Sequence, residues 1–211
     1  MPKDEENGSK RRADILLAAQ AVFHDCGYAA TTMEAVAEKA SISKGSIYNY
    51  FQNKHDLFKH VFISSMAVLE QEMGGLLTAQ MPARDKLERI IDYWYQRQTF
   101  YNHIGRLMLE FWATAARQDQ SGDLAAMLQG LYTNWRQSLT AVLVEGVTSG
   151  EFGSHVNPAV AASLVAAIMD GIQLQSILDS GLTVNDEFVA ALKRAIMAGL
   201  TTRPANPSVQ G

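Results

Sequence analysis

Cysteine and proline are both scarce in this sequence. Its 211 residues include one cysteine, Cys26, and five prolines. A single cysteine forms neither an internal disulfide nor a multi-cysteine metal site, so apolar burial must hold the fold together, and a reducing, cytoplasmic location is favoured. Only Pro82 and Pro158 lie away from the termini, which permits long helices almost everywhere.

Long apolar runs are lacking as well. The longest, Ala159–Met169, has about eleven residues, against the roughly 20 that a membrane helix needs. The stretch from Met1 to Arg12 is polar and charged, so no targeting leader is expected there. The sequence therefore predicts no membrane partner.

The motifs of common enzymes are missing. The chain has no GxSxG, no GxGxxG, no phosphate-binding loop and no HExxH. Its five histidines are scattered, and His55 and His60 are five positions apart, which places them on different faces of a helix. We therefore expect no catalysis, no cofactor and no metal.

The charge is unevenly distributed, although the net charge is only −4. Residues 9–60 carry seven Lys/Arg against five Asp/Glu, whereas residues 61–211 carry ten against fourteen. The basic residues are thus in excess in the N-terminal quarter, and this excess is compatible with a nucleic-acid partner there.

Helical spacing of apolar residues recurs along the whole chain, and no segment reads as a strand. Short helices are predicted over 11–26, ending at Gly27, over 32–40, after a capping box from Thr31 to Glu34, and over 44–50. Longer helices are predicted over 54–77, 83–101, 104–117, 124–147, 158–178 and 185–200. Residues 1–9 are expected to form a flexible arm and residues 202–211 a disordered tail.

Two of the short helices are joined by a turn of three residues, Ser41-Ile42-Ser43, which is the pattern of a helix-turn-helix. Ile47 and Phe51 are four positions apart and can anchor the second of them to a core, leaving its polar face free to enter a major groove. The basic residues from Lys10 to Arg12 are expected to act as a mobile arm. These features favour DNA as the partner.

A dense set of residues in this region carries a family resemblance. It includes Gly27-Tyr28, Thr31-Thr32 and above all the run Ser43–Phe51, followed by Lys54 and Leu57. On these residues, positions 10–60 resemble the DNA-binding domain of the TetR family of bacterial transcriptional regulators. The resemblance implies an all-α homodimer with a helix-turn-helix domain at 10–60 and a larger effector-binding and dimerisation domain at 61–201.

The DNA-binding residues follow from the helix ends, the basic arm and this resemblance. The candidates are Arg11, Arg12, Thr32, Ser43, Lys44, Ser46, Tyr48, Asn49, Tyr50 and Lys54. The resemblance implies that most of these hold phosphates of a palindromic operator in double-stranded DNA, while Ser46 and Asn49 face base edges. Ser41 stands where the family usually has glycine, so a positive φ there would be strained.

The middle helices concentrate aromatic residues and methionines, which can line an adaptable apolar cavity. The candidate ligand-binding residues are Trp94, Tyr95, Tyr101, His103, Met108, Phe111, Trp112, Met127, Tyr132, Trp135, Met169 and Gln173. Ordinary core packing remains the alternative for each of them. The resemblance implies a repressor that a small apolar or aromatic effector releases from DNA, with the long helix over 54–77 as the lever.

The segment Pro158–Leu178 is rich in small residues and nearly uncharged, so another helix can approach it closely. Together with Asn185–Leu200 it can form half of a four-helix bundle between two copies, although burial within one copy stays open. A helical carrier or interaction module without DNA binding is the alternative function, and a gel-shift experiment on its own promoter region separates the two.

Overall fold

The computed structural model describes residues 2–117 and 123–201, and every regular element in these ranges is an α-helix. The predicted all-α fold is confirmed. The helices are α1 (Pro2–Ala30), α2 (Met33–Lys39), α3 (Lys44–Ile47), α4 (Lys54–Thr78), α5 (Ala83–Gln96), α6 (Gln98–Ala116), α7 (Asp123–Ser149), α8 (Pro158–Ile177) and α9 (Asp186–Thr201).

The chain forms two compact units. The first comprises Met1–Glu72 with Asn102–Leu128, and the second comprises Met73–Tyr101 with Gln129–Gly211. The first unit thus takes in most of α6, which the sequence had assigned to the effector domain.

Three boundaries differ from the sequence-based expectation. Helix α1 starts at Pro2, so residues 2–9 and the basic residues after them are helical where an arm was expected. The break between α5 and α6 falls at Arg97, whose φ of −93° and ψ of 9° interrupt the helix, and the sequence has no proline or glycine there to indicate it. Helix α3 ends at Ile47 and continues as turns to Tyr50. The tail at 202–211 lies outside the described residues.

The core of the first unit includes Ile47 and Phe51, the two anchors predicted from the sequence. Members that are at most 2% exposed include Ile15, Phe23, Val36, Ile47, Phe51 and Phe58. Ile47 and Phe51 therefore anchor the short helix α3 from below, as their spacing indicated. This burial leaves the polar residues between and beside them at the surface.

The N-terminus of α2 corrects the predicted capping box. Thr32, not Thr31, is the N-cap, and its Oγ1 accepts a hydrogen bond from the backbone N–H of Ala35 at 3.1 Å. Thr31 is buried, and its hydroxyl donates to the carbonyl oxygen of Gly27 at 2.7 Å. Glu34 is thereby one position too early to complete a capping box, and its side chain is used elsewhere.

The turn between α2 and α3 confirms the strain predicted at Ser41. The N–H of Ile42 donates to the carbonyl of Ala37 at 2.9 Å and that of Ser41 to the carbonyl of Glu38 at 3.0 Å, which is a Schellman motif. This motif requires a left-handed residue, and Ser41 has a φ of 54°. A residue with a side chain pays about 1–2 kcal/mol for that conformation.

The core of the second unit is built from α5, α7, α8 and α9. Helix α5 begins at a proline with no side-chain cap, and Glu151 supplies one: its carboxylate accepts the N–H groups of Ala83 at 3.2 Å and Arg84 at 3.1 Å. These bonds hold the pKa of Glu151 below its usual value. The buried Lys86 ammonium pairs with Glu145 at 2.7 Å, which ties α5 to α7.

Helix α8 is long and apolar enough to cross a membrane by length and composition alone, with a mean hydropathy of 1.5 over its 18-residue window. The sequence analysis counted only the uninterrupted apolar run that ends at Met169 and therefore did not single out the whole helix. Only 28% of the window is buried within the chain. A helix with this composition needs a cover for its outer face, which a second copy of the chain can supply as well as lipid can.

Candidate nucleic-acid interface

The polar face of the helix-turn-helix is exposed. Thr32, Ser43, Lys44 and Asn49 are exposed, and Ser46 and Tyr50 are half-buried. The ring of Tyr48 is 47% exposed next to Ile47, which is fully buried. These candidates are thus accessible on the outside of the helix-turn-helix, while the apolar anchors Ile47 and Phe51 are buried.

Lys44, at the start of α3, is paired with Glu34 of α2. The hydrogen bond and the charge of Glu34 raise the pKa of Lys44, and the hydrogen bond from Lys44 lowers that of Glu34. Both side chains are more than half exposed, so water and salt screen the pair and it adds little to stability. A DNA phosphate would therefore replace Glu34 as the partner of Lys44 at small cost.

The two serines of this surface are bonded to each other. Ser43 is the N-cap of α3, and its Oγ accepts the N–H of Ser46 at 3.1 Å. The two hydroxyl oxygens are 2.8 Å apart, so one donates to the other. A base edge or phosphate that binds Ser46 has to redirect this hydroxyl, which can rotate freely.

Lys54, at the start of α4, is occupied inside the protein. Its ammonium donates to the carbonyl oxygens of Tyr28 at 2.8 Å and Ala29 at 3.1 Å and lies 4.6 Å from the centre of the Tyr28 ring. The two hydrogen bonds use two of the three donors of the ammonium, so in this structure Lys54 fixes the end of α1.

The two arginines of α1 differ. Arg11 is exposed, whereas the guanidinium of Arg12 lies 5.0 Å from the centre of the Phe51 ring, a cation–π contact. Arg12 therefore packs on Phe51, four residues after the end of α3, and helix α1 carries both arginines where an arm was expected.

The ligand-binding candidates of the first unit split between core and surface. Phe111 is fully buried, and its ring stacks on Phe62 at 3.9 Å and lies 5.6 Å from Phe58. Its neighbour Trp112 is half-buried, and its indole N–H is buried without an acceptor among the described residues. Met108 and Met127 are half-buried. The side chains of Tyr101 and His103 lie outside the described part of the chain.

The candidates of the second unit are mostly packed. Trp94 and Met169 are buried in its core, and the half-buried Trp135 packs against it. Tyr95 donates to Asp186, which together with burial raises the pKa of the phenol. Gln173 is half-buried.

Tyr132 of α7 donates to the carboxylate of Asp170 on α8, a residue that the sequence reasoning missed. Burial raises the pKa of Asp170, and the hydrogen bond from Tyr132 offsets part of that shift. A single acidic residue in an otherwise apolar helix was the signal that could have found it. Glu34 had no such signal, because its partner Lys44 is a tertiary neighbour.

A short helix anchored by two apolar residues, with a polar outer face and a second helix behind it, defines a helix-turn-helix DNA-binding protein. The sequence profile described as bacterial regulatory proteins, tetR family, matches residues 15–61, and that of the BetI-type transcriptional repressor C-terminal domain matches residues 83–201. The chain therefore belongs to the tetR family of bacterial regulatory proteins. It is a DNA-binding transcriptional regulator.

Individual proteins agree with this assignment. The uncharacterized regulator YhgD of Bacillus subtilis is 35% identical over 81 residues, 38% of this chain and 42% of that protein. The transcriptional repressor KstR2 of Rhodococcus jostii is 28% identical over 162 residues, 74% of this chain and 75% of that protein. In fold, the chain resembles SmeT of Stenotrophomonas maltophilia in its triclosan complex, with a TM-score of 0.74, 20% identity, and coverage of 96% of this chain and 98% of SmeT.

Proposed function

We propose that this protein is a cytoplasmic repressor that binds a palindromic operator as a homodimer and leaves it when a small apolar or aromatic effector binds. The observation that carries the DNA-binding part is the exposed polar face of α2 and α3 above the buried Ile47 and Phe51. Lys44, Tyr48, Asn49 and the hydroxyls of Thr32 and Ser43 contact the backbone and bases of one major groove.

The homodimer is proposed from the outer face of α8. Val160, Leu164 and Ile168 repeat every four residues and are 54%, 60% and 40% exposed. Beside them α9 presents the small residues Ala195 and Gly199, and the two helices border an open groove of about 430 Å³. A second copy of this face, related by a two-fold axis, covers the apolar row. The dimer then carries two helix-turn-helix motifs related by the same axis, which matches a palindromic site.

Mutation of Tyr48 tests the DNA contact. We expect Tyr48→Ala to weaken operator binding by about 1–3 kcal/mol, the usual worth of a well-placed DNA contact, and to leave the melting temperature nearly unchanged because the ring is exposed. Fluorescence anisotropy with a fragment of the protein's own promoter region, measured at several salt concentrations, gives the affinity and its salt slope.

Tyr48→Phe is the matched control, because it keeps the ring and removes only the hydroxyl. A loss of the same size shows that the hydroxyl binds a phosphate, and a smaller loss shows that the ring packs on the DNA backbone. Loss of the cooperative melt in Tyr48→Ala would place the ring in the core, and an affinity independent of salt would contradict DNA binding altogether.

The effector part is supported by Trp112. Its buried indole N–H has no acceptor among the residues that the structure describes, and leaving such a donor unpaired costs about 1–3 kcal/mol. An aromatic or apolar effector with one acceptor oxygen would satisfy it. SmeT, with the same fold, forms a complex with triclosan.

We expect an effector of this class to weaken operator binding by roughly 5–150-fold, the range of a typical coupling free energy. The measurement is anisotropy of bound operator against a library of hydrophobic aromatic compounds, beginning with triclosan, with binding verified by calorimetry. Trp112→Phe should lower the effector's affinity and leave operator affinity without effector unchanged. A library in which every compound that binds leaves operator affinity unchanged would contradict the effector response while DNA binding stands.

A further inference from the structure

Helix α1 is interrupted at Gly27, where the sequence predicted its end, and the segment from Gly27 to Thr32 forms the α1–α2 turn. Charged residues of later helices hold this turn from both sides. Lys54 of α4 binds its two carbonyl oxygens, as described above. On the other side Glu110 of α6 reaches 82 positions back along the chain, and its Oε2 accepts the backbone N–H of Tyr28. The Lys54 ammonium therefore binds two carbonyl oxygens of the turn, and the Glu110 carboxylate binds its N–H group.

The residue before Tyr28 is shaped to admit this carboxylate. Gly27 has a φ of 75° and a ψ of 168°, a conformation that is available essentially only to glycine. A Cβ atom at this position would lie 2.7 Å from Oε1 of Glu110, which is closer than real contacts. The backbone conformation thus restricts this position to glycine, and the missing side chain leaves room for the end of the Glu110 side chain.

The hydrogen bond between the Tyr28 N–H and the Glu110 carboxylate is partly buried. The Tyr28 ring packs 4.6 Å from Phe58 and 6.0 Å from Phe23, and burial, followed by the charge of Glu110, raises the pKa of its phenol. A hydrogen bond to a carboxylate is stronger than one between neutral groups, and reduced solvent strengthens it further. The hydrogen bond from the Tyr28 N–H to Glu110 therefore stabilises the conformation of the turn.

Glu110 also lies beside the part of α6 to which we assign the effector. It precedes Phe111, whose ring packs on α4, and Trp112, whose indole N–H awaits an acceptor. At the other end of the link, Tyr28 is four residues before Thr32, the N-cap of α2. A displacement of α6 would therefore move the turn that leads into α2 and so change the orientation of α2.

We propose that Glu110 is a positioning residue for DNA binding. Its carboxylate holds the α1–α2 turn in the conformation that presents α2 and α3 to the operator, and an effector beside Trp112 releases the operator by drawing Glu110 away from Tyr28. This inference rests on the proposed effector response, and it assigns the signal to α6 in addition to the α4 lever expected from the sequence.

The test compares Glu110→Ala and Glu110→Gln in the full-length protein with Glu70→Ala, which removes an equal charge from an exposed position on α4. Loss of any negative charge favours DNA, so Glu70→Ala corrects for that effect. We expect Glu110→Ala to bind the operator about tenfold more weakly than the control, the loss of one hydrogen bond to a charged group. Glu110→Gln keeps an acceptor oxygen and should lie between them.

The second readout is amide hydrogen exchange at Tyr28, which a role elsewhere in α6 would not change. We expect exchange at this amide to accelerate in Glu110→Ala and to stay at the wild-type rate in Glu70→Ala. If Glu110→Ala fails to fold, Glu110→Gln carries both measurements. Operator affinity equal to that of the control, with unchanged exchange at Tyr28, overturns the proposal.

Failure of the proposed function and failure of the role of Glu110 give different results. A wild-type protein that binds no fragment of its promoter contradicts the proposed function, while exchange at Tyr28 still reports whether Glu110 holds the turn. A wild-type protein that binds the operator and is released by an effector, with Glu110 variants identical to Glu70→Ala, contradicts only the role of Glu110.

Discussion

Replacing Leu164 with glutamate is expected to split the homodimer into monomers and to abolish tight operator binding. Leu164 is 60% exposed and central in the apolar row of α8, so one two-fold contact places both copies of the residue in the interface. A carboxylate buried there without a partner costs far more than it does in water. Each monomer would then carry a single helix-turn-helix, and loss of the second one reduces operator affinity by about 10²-fold or more.

Sedimentation equilibrium measures the first effect and anisotropy the second. The wild-type protein should sediment at 46.4 kDa, twice the 23.2 kDa of the chain, and Leu164→Glu at 23.2 kDa. Val144→Glu is the matched control, because Val144 is 47% exposed on α7 and does not border the groove. A wild-type monomer at all concentrations, or a dimer that survives Leu164→Glu, would contradict the proposed interface.

Phe111→Ala is expected to lower the free energy of unfolding by about 3–5 kcal/mol, the usual cost of removing a buried phenylalanine. The ring is fully buried and stacks on Phe62 at an interplanar angle of 13°, so alanine leaves a cavity lined by the rings of α4. Because the protein has two compact units, unfolding in urea should be followed by probes in each of them, and the first unit should lose most stability.

This variant also decides between the two roles that the sequence left open for Phe111. A residue that lines an effector cavity loses effector affinity on truncation while the protein keeps its stability, whereas a core residue does the reverse. Phe188→Ala, at a half-buried position on α9, is the control and should cost less. A change in stability below about 1 kcal/mol for Phe111→Ala, with weaker effector binding, would return Phe111 to the effector site.

Local features of the sequence were sufficient for the helix-turn-helix. The i, i+4 spacing of Ile47 and Phe51 predicted the buried side of α3, and both side chains are buried. The resemblance, because the family usually has glycine at this position, likewise implied a positive φ at Ser41, which has a φ of 54°. Such features depend on residues within about one helical turn of each other, so the order of residues carries them directly.

The same local reasoning failed where a competing partner was close in space. The capping box was predicted one residue too early because Thr31 and Thr32 are equally good caps, and the burial of Thr31 decided between them. The break at Arg97 carries no proline or glycine, so nothing in the local sequence distinguishes it from continuous helix.

The sequence by itself determined an all-helical chain and the position of the helix-turn-helix, because apolar residues recur at helical spacing along each helix. Only the tertiary structure decided what the charged and aromatic side chains do. Lys54, which the resemblance assigned to a phosphate, binds the carbonyls of Tyr28 and Ala29 within the chain, and Glu110 meets the N–H of Tyr28 from 82 positions away. Long side chains select their partners by proximity in the folded chain, and periodicity along one helix carries no record of which distant residues the packing of α4 and α6 brings within a hydrogen bond's length.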